Sequence, residues 1–201
     1  MRANMLIFWK ERLVFLSTPK TGSTSIETAL ESLAHVAIRR PPELKHMPAH
    51  DFRTSYGPYL EARAGEKFTT IALMREPIDW LGSWYRYRKR DELGEKDRST
   101  RGLDFAAAAE GYLTSPVARN MDVGSQAGFL CDPQGNVAVD RLFRYEKIEQ
   151  FVEFLEDRLD YEIVLPRLNV SPAGQTDLPA DVRARLTERF EQDYAIYNSL
   201  E

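Results

Sequence analysis

Short apolar runs alternate with amphipathic segments along the 201-residue chain. Two early runs, residues 5–9 and 13–18, predict a hairpin or one strand with its lead-in. Residues 23–34 then carry apolar side chains at helical spacing, behind a start rich in Gly, Ser and Thr. Residues 68–74 are a second candidate for a buried strand. The segment that follows, residues 77–90, is predicted to be helical because it opens with Pro, which is favoured in a first turn.

The second half of the chain continues the alternation. Residues 103–113 predict an alanine-rich helix, residues 140–145 a short strand, and residues 148–159 a helix with one apolar face. A last helix is predicted after Pro179, with one apolar stripe formed by Val182, Leu186, Phe190, Tyr194 and Tyr197. Strands that alternate with helices indicate an α/β fold with a mainly parallel sheet, here in a single domain over residues 1–201.

Composition narrows the classes of protein that remain. The chain has 27 Lys and Arg against 31 Asp and Glu, a net charge of −4, so we expect no nucleic-acid partner. Cys131 is the single cysteine, which excludes intramolecular disulfides and thiolate-rich metal sites. The apolar run at residues 5–9 is too short for a secretory signal or a membrane span. We therefore expect a cytoplasmic protein.

The first strand-to-helix turn combines the features of an anion site. An apolar strand ends, the chain turns near Gly22, and a helix begins with its free N–H groups and positive dipole end directed outward. The residues predicted to hold the anion are Lys20, Thr21, Gly22, Ser23, Thr24 and Ser25. The alternative is an ordinary helix capped by Ser or Thr, which needs one hydroxyl and no lysine.

This turn differs from the phosphate loop of nucleotide triphosphatases. Their loop has a lysine directly after its second glycine, whereas Lys20 precedes Gly22. The strand that ends at residue 74 is followed by Arg75 in place of a metal-binding acidic residue. Both differences disfavour ATP with magnesium.

The second strand-to-helix turn places Arg75 at the tip of a buried strand. A buried charge there is costly unless the arginine holds an anion. Ser83 follows two helical turns later, so both side chains would converge on one phosphate if the helix folds back past the strand end. The alternative is a pair between Arg75 and a carboxylate, with Ser83 on the surface. Two anion-binding turns together favour a ligand with two separated anionic groups.

These residues resemble a known family. Residues 19–25 are similar to the 5′-phosphosulfate loop of sulfotransferases that use 3′-phosphoadenosine 5′-phosphosulfate (PAPS), and Arg75 and Ser83 resemble that family's 3′-phosphate pair. Residues 165–171 and 193–197 are similar to the closing segments of small bacterial and carbohydrate-type members. The resemblance implies a P-loop-like three-layer sandwich and sulfuryl transfer from PAPS, without a metal, to a hydroxyl or amine of a small-molecule or carbohydrate acceptor.

The chain departs from the family pattern in two places. Many members follow the loop with a tryptophan that stacks on adenine, and Ser25 stands at that position here. The Arg-Lys-Gly segment near the C-terminus of cytosolic small-molecule sulfotransferases is absent. Both departures favour the compact bacterial branch, and they leave the acceptor, the adenine-stacking residue and the oligomeric state open.

A hydroxyl acceptor requires a general base, and histidine is the commonest one. His46 and His50 lie between the two turns, in the segment where the resemblance places the family's base. We choose His46, with His50 as the alternative in the first turn of a helix if Pro48 opens one. Lys20 would hold the bridging oxygen of the leaving group, or serve only as a phosphate counter-ion. His35 is expected to be a cation at the end of the first helix.

Several other features have simpler interpretations. Trp80, Trp84 and Tyr87 recur at helical spacing, which favours packing over an acceptor platform. The basic residues after them are expected to form a solvated helix face; they are Arg86, Arg88, Lys89 and Arg90. Cys131 is expected to be a small buried apolar residue. Two alternatives to a sulfotransferase remain: a nucleotide-dependent kinase and a non-catalytic nucleotide-binding protein of the same fold.

Overall fold

The computed structural model describes residues 5–90, 98–114, 116–166 and 177–200. Within these ranges, five strands form one sheet in the order β3-β1-β2-β4-β5. They are β1 (Met5–Phe8), β2 (Leu13–Phe15), β3 (Val36–Ile38), β4 (Thr69–Met74) and β5 (Arg141–Arg144). Strand β1 pairs antiparallel with β2 and β3, whereas β2 with β4 and β4 with β5 pair in parallel. The predicted α/β class and the early hairpin are confirmed.

The helices between and after these strands vary in length. They are α1 (Ser23–Leu30), α2 (Pro42–Lys45), α3 (Ala49–Asp51), α4 (Gly57–Ala64), α5 (Pro77–Arg88), α6 (Phe105–Leu113), α7 (Gln126–Leu130), α8 (Ile148–Leu159), α9 (Ala180–Arg189) and α10 (Glu191–Ser199). A π-helical turn (Phe52–Tyr56) joins α3 to α4, and a 3₁₀ turn (Tyr145–Lys147) joins β5 to α8.

Both faces of the sheet are buried. Leu6 and Phe8 of β1 pack on one side with α1 and α8, and Met5 and Ile7 pack on the other with α3, α4, α7 and α10. Strands buried on both faces carry continuous apolar runs in place of a polar alternation, as β1 and β4 do. The predicted three-layer sandwich, a sheet flanked by helices, is confirmed.

A third apolar cluster joins α5, α6 and α9 beside the sheet. Trp80 of α5 is fully buried there, with its ring centroid 6.2 Å from that of Phe190. The indole Nε1–H of Trp80 donates to the carbonyl oxygen of Pro19 at 2.9 Å. The packing role expected for Trp80 is confirmed, and this hydrogen bond also ties α5 to the first turn.

Helix α1 is shorter than predicted, and the interpretation of His35 is wrong. The helix ends at Leu30, and the backbone N–H of His35 then donates to the carbonyl oxygen of Ile7 at 2.9 Å. The imidazole Nδ1 of His35 accepts from the N–H of Trp9 at 3.1 Å. His35 therefore lies at the sheet edge, beyond the end of α1, and not in the last turn of a helix.

The last predicted helix is two helices. Phe190, with φ −99° and ψ 22°, separates α9 from α10. The break lets Phe190 stay in the cluster with α5 and α6 while Ile196 of α10 enters the core against the sheet. Of the predicted closing segment 165–171, residues 167–171 lie outside the described residues.

Candidate functional site

The first turn has an unusual backbone between β2 and α1. Lys20 has φ +69° and Gly22 has φ +73°, and Gly22, the N-cap of α1, gives no side-chain hydrogen bond to the start of that helix. Residues in left-handed conformation form backbone concavities in which N–H groups bind anions. A Cβ on Gly22 would lie 2.6 Å from Cε2 of Tyr145, so this position requires glycine for two separate reasons.

Two hydroxyls at this turn are buried without a partner. Ser17 and Thr18 are 1% and 0% exposed, and within the described part of the chain neither hydroxyl makes a hydrogen bond. The hydroxyl of Thr21, by contrast, donates to the carbonyl oxygen of Thr18 at 2.9 Å. Unpartnered buried polar groups are rare and costly. They fit a site whose ligand supplies the missing partners.

The ammonium of Lys20 lies against two aromatic rings of α5. Its Nζ is 4.4 Å from the ring centroid of Tyr87 and 5.6 Å from that of Trp84. Burial, with the charges of nearby guanidinium groups, lowers the pKa of Lys20 to about 7. Those guanidinium groups belong to Arg90, Arg75 and Arg86. An anion bound here would favour the charged form of the lysine.

Arg75 lies at the end of β4, as predicted, and contacts both Asp79 and the first turn. Its Nε and Nη2 are 2.6 Å and 2.5 Å from Oδ2 of Asp79, and its Nη1 is 3.4 Å from the carbonyl oxygen of Lys20. The carboxylate pair is the alternative that the sequence left open. Ser83, however, is buried in α5, so the surface position that belonged to the same alternative is not found.

The ring of Tyr145 lies beside both turns, and no motif in the sequence points to it. Cζ of Arg75 lies 4.7 Å from the centroid of this ring, and the Cε2 atom of the ring is the one that a Cβ on Gly22 would meet. One signal was available, because Tyr145 directly follows β5, and ligands sit at the carboxyl ends of parallel strands.

His46 is held against the first turn. Its Nδ1 lies 2.9 Å from the carbonyl oxygen of Ser17. A carbonyl only accepts, so Nδ1 carries the proton and Nε2 keeps its lone pair. Burial lowers the pKa of His46; the Ser17 hydrogen bond opposes this shift and the charge of Lys45 adds to it. A neutral imidazole with a free Nε2 has the form that a general base needs.

Comparison with known families now decides the assignment. The sequence model of the sulfotransferase family matches residues 3–198. The chain belongs to this family. A search of curated proteins finds no match to it. Membership supports sulfuryl transfer, with a sulfate donor and a small-molecule acceptor, as the chemistry of this sulfotransferase.

The structure separates the two histidines that the sequence left as alternatives. His50 lies in α3, which starts after Pro48 as predicted. It lines an open cavity of about 480 Å³ with residues of α7, including Ala127, and of the turn near Asp132. Only His46 contacts the first turn among the described histidines. Cys131, also at this cavity, is largely buried as expected, and burial raises the pKa of its thiol.

The basic end of α5 is only partly the solvated face that the sequence predicts, because Lys89 and Arg90 are exposed whereas Arg86 and Arg88 are not. Arg86 lies 3.4 Å from Oδ1 of Asp79. Arg88 is buried and donates to the carbonyl oxygens of Arg119 and Asp122 at 3.2 Å and 3.0 Å. The carboxylate and carbonyl partners explain why these guanidinium groups of the sulfotransferase are withdrawn from water.

Two findings concern features outside the site. In the described ranges, no group of three or more His, Cys, Asp or Glu side chains is arranged to hold a metal ion. Among the helices of those ranges, none has the length and apolar character needed to cross a bilayer.

Proposed function

We propose that this sulfotransferase moves a sulfuryl group from PAPS to a hydroxyl or amine of a small-molecule or carbohydrate acceptor. One observation carries the proposal: Nη1 of Arg75 lies 3.4 Å from the backbone carbonyl oxygen of Lys20, so the two turns meet where the strands end, and the first turn holds two buried hydroxyls without partners among the described residues. A donor with two anionic groups would satisfy both features. The proposal treats residues 1–201 as one domain and invokes no metal.

The first turn would hold the 5′-phosphosulfate. The residues proposed for this role are Lys20, Thr21, Gly22, Ser23, Thr24 and Ser25. They are supported by the start of α1, whose N-cap Gly22 gives no side-chain hydrogen bond, and by the left-handed backbone at Lys20 and Gly22. Arg75 and Ser83 would hold the 3′-phosphate, because Arg75 ends β4 and Ser83 is buried in the helix that follows.

His46 would act as the general base. Its Nδ1–H is bound to the carbonyl of Ser17, so Nε2 is the nitrogen that takes the proton of the acceptor. When bound, PAPS supplies the activated sulfuryl group. Lys20 would stabilise the negative charge that develops at the first turn, because a cation already fixed in a partly buried site needs little reorganisation.

The test compares two nucleotides. We expect 3′-phosphoadenosine 5′-phosphate, at about 100 times its Kd, to stabilise the protein by about 2.7 kcal/mol in thermal unfolding. Labelled PAPS should then transfer sulfate to a member of a panel of sugars, phenols and amines. Stabilisation only by ATP with magnesium would favour the kinase. Stabilisation by the bisphosphate without transfer to any acceptor would favour the non-catalytic nucleotide-binding protein.

A further inference from the structure

The C-terminal helix α10 makes a series of polar contacts that end at the second turn. Three of its side chains begin these contacts, and we call them the α10 clamp: Asp193, Tyr194 and Tyr197. Tyr194 and Tyr197 follow Asp193 by one and four positions, so the three side chains lie on neighbouring parts of the helix surface. The packing of α10 onto the sheet comes from other side chains such as Ile196, which is buried in the core.

Asp193 reaches the backbone of Arg75 through α7. Its Oδ1 accepts from the backbone N–H groups of Gln126 and Ala127 at 2.9 Å and 3.2 Å, at the start of α7. The side chain of Gln126 then pairs with both backbone groups of Arg75. Its Nε2 donates to the carbonyl oxygen at 2.7 Å, and its Oε1 accepts from the N–H at 2.9 Å. Asp193 and Gln126 are both almost fully buried, so these bonds are shielded from water.

Tyr194 reaches the guanidinium of Arg75 by a second path. Its hydroxyl donates to Oε1 of Glu76, and Oε2 of the same carboxylate accepts from the backbone N–H of Asp79 at 2.6 Å. Glu76 thereby caps α5. Asp79, in the first turn of that helix, holds Nε of Arg75 at 2.6 Å. The orientation of the arginine thus depends on where this cap places Asp79.

Tyr197 fixes the end of β5 beside the same arginine. Its hydroxyl donates to Oε2 of Glu146 at 2.9 Å, and Oε1 of Glu146 accepts from the backbone N–H of Glu76 at 2.9 Å. Arg144 donates to the carbonyl oxygen of Tyr197 at 3.0 Å and 3.2 Å. These bonds flank Tyr145, the residue whose ring lies against the Arg75 guanidinium.

We propose that Asp193, Tyr194 and Tyr197 are positioning residues that fix Arg75 for the 3′-phosphate of the donor. This inference rests on the proposed function. Three routes meet at one arginine: its backbone, its carboxylate partner and the ring beside it. An arginine has a flexible side chain, and its bonds to a phosphate are strong only in a narrow range of geometries. The clamp supplies that geometry before any ligand binds.

The experiment measures discrimination between two ligands. We compare the Kd for 3′-phosphoadenosine 5′-phosphate with the Kd for AMP, which lacks the 3′-phosphate. In Tyr194→Phe and Tyr197→Phe, which keep the rings and lose only the hydroxyls, we expect the preference for the bisphosphate to fall about fivefold each. The affinity for AMP should stay within about twofold. Arg75→Ala removes the guanidinium itself, so its preference gives the reference value for complete loss.

Two controls separate positioning from general stability. Tyr112→Phe also removes a tyrosine hydrogen bond, to the carbonyl oxygen of Gly124 at 2.8 Å, in the apolar cluster against which Tyr194 packs. It should lower the melting temperature and leave the preference unchanged. Asp193→Asn keeps a side-chain oxygen that can accept from the start of α7, so it should retain more of the preference than Asp193→Ala does.

The outcomes are distinct. An equal weakening of both nucleotides in the clamp variants, or no change in either, would overturn the inference and leave the proposed function standing. A wild-type protein that binds both nucleotides equally would contradict the 3′-phosphate site itself, and the inference with it. A selective loss for the bisphosphate in the tyrosine variants supports the clamp.

Discussion

The two turns at the strand ends differ in how far the protein itself satisfies their polar groups. In the first turn, the hydroxyls of Ser17 and Thr18 are buried without hydrogen bonds, among the residues that the structure describes. In the second turn, both backbone groups of Arg75 pair with Gln126, and its guanidinium pairs with Asp79. The first turn thus keeps two buried hydroxyls without hydrogen bonds, whereas the arginine of the second turn is bonded through both its backbone and its side chain.

This difference indicates how each of the two proposed anion sites would contribute to donor binding. A buried hydroxyl without a partner costs about 1–3 kcal/mol, which a ligand that completes the bond would recover. A side chain that is already fixed loses little entropy when its ligand arrives. Under the proposed function, the first turn would therefore gain most on binding the donor, whereas the second would supply a rigid point that selects for the 3′-phosphate.

The largest expected effect is at Lys20 of the first turn. Lys20→Ala should lower kcat/KM about 10³-fold, because the side chain serves both donor binding and charge stabilisation. Steady-state kinetics with varied donor would measure it. Lys20→Gly is the matched control for the backbone, since glycine tolerates the φ of +69° better than alanine. Equal losses in both variants assign the effect to the amine, and a loss below about tenfold would contradict its role.

The base provides the next largest effect. His46→Ala should lower kcat about 10²-fold and leave donor affinity unchanged, because a base acts on the acceptor. His50→Ala is the control and should cost little. Burial lowers the pKa of His46 below its usual 6.5, so the rate should fall only when the pH drops below 6.5. Single-turnover transfer at saturating donor would measure both variants, and a loss in His50→Ala alone would exchange the roles.

The sequence predicts the long elements of this fold better than the contacts between them. The helix over residues 148–159 and the strand that ends at Met74 match because their apolar spacing extends over several residues. Helices α2, α3 and α7 have three to five residues, too few for a periodic signal. The apolar stripe predicted after Pro179 continues past Phe190 although the helix breaks there. Local spacing cannot show this break, because the residues before and after it pack into two different apolar clusters.

The candidate site shows the same division. The pairing of Arg75 with Asp79 joins residues four positions apart across the start of α5, and a carboxylate partner was the alternative that the sequence offered. The bond between Arg75 and Gln126 spans 51 positions, and that between His46 and Ser17 spans 29. Such bonds depend on how layers pack, which no local pattern encodes.

Donor affinity should also depend on pH through Lys20. Burial and the neighbouring guanidinium groups hold its pKa at about 7 in the free protein, and a bound anion would raise it. Donor binding therefore takes up a proton, and the affinity should fall by up to about tenfold per pH unit above 7. Calorimetry between about pH 6 and 8, one unit on each side of this pKa, in buffers of different ionisation enthalpy measures the uptake. Lys20→Arg, which stays charged, should flatten the dependence; a wild-type profile equally flat would contradict it.

The close contact at Gly22 predicts a loss of stability. Gly22→Ala should destabilise the protein by about 2 kcal/mol, because the new Cβ meets Tyr145 at 2.6 Å and φ is +73°. Gly65→Ala is the matched control, since Gly65 has φ +72° and nothing within 4 Å of the added Cβ. Its smaller cost, about 1 kcal/mol, isolates the backbone strain. Equal costs in denaturant unfolding would show that Tyr145 moves aside freely.

The smallest expected effects are at Ser17 and Thr18, and they test most directly whether the first turn lacks hydrogen-bond partners that the second turn has. Ser17→Ala and Thr18→Val remove hydroxyls that have no partner in the described part of the chain, so the ligand-free protein should keep its stability or gain up to about 1 kcal/mol. Thr21→Val is the matched control. It removes a buried hydroxyl that donates to the carbonyl oxygen of Thr18, and should cost about 1 kcal/mol.

Donor affinity should move in the opposite direction to stability at these two positions. If the donor completes the bonds of Ser17 and Thr18, each variant should weaken binding of 3′-phosphoadenosine 5′-phosphate about fivefold while its unfolding free energy holds or rises. Chemical denaturation and calorimetry on the same preparations give both quantities. A variant that loses stability as Thr21→Val does has a hydroxyl that the protein already satisfies. Unchanged affinity would show that the donor makes no bond to that hydroxyl, and the first turn would then gain nothing there on binding.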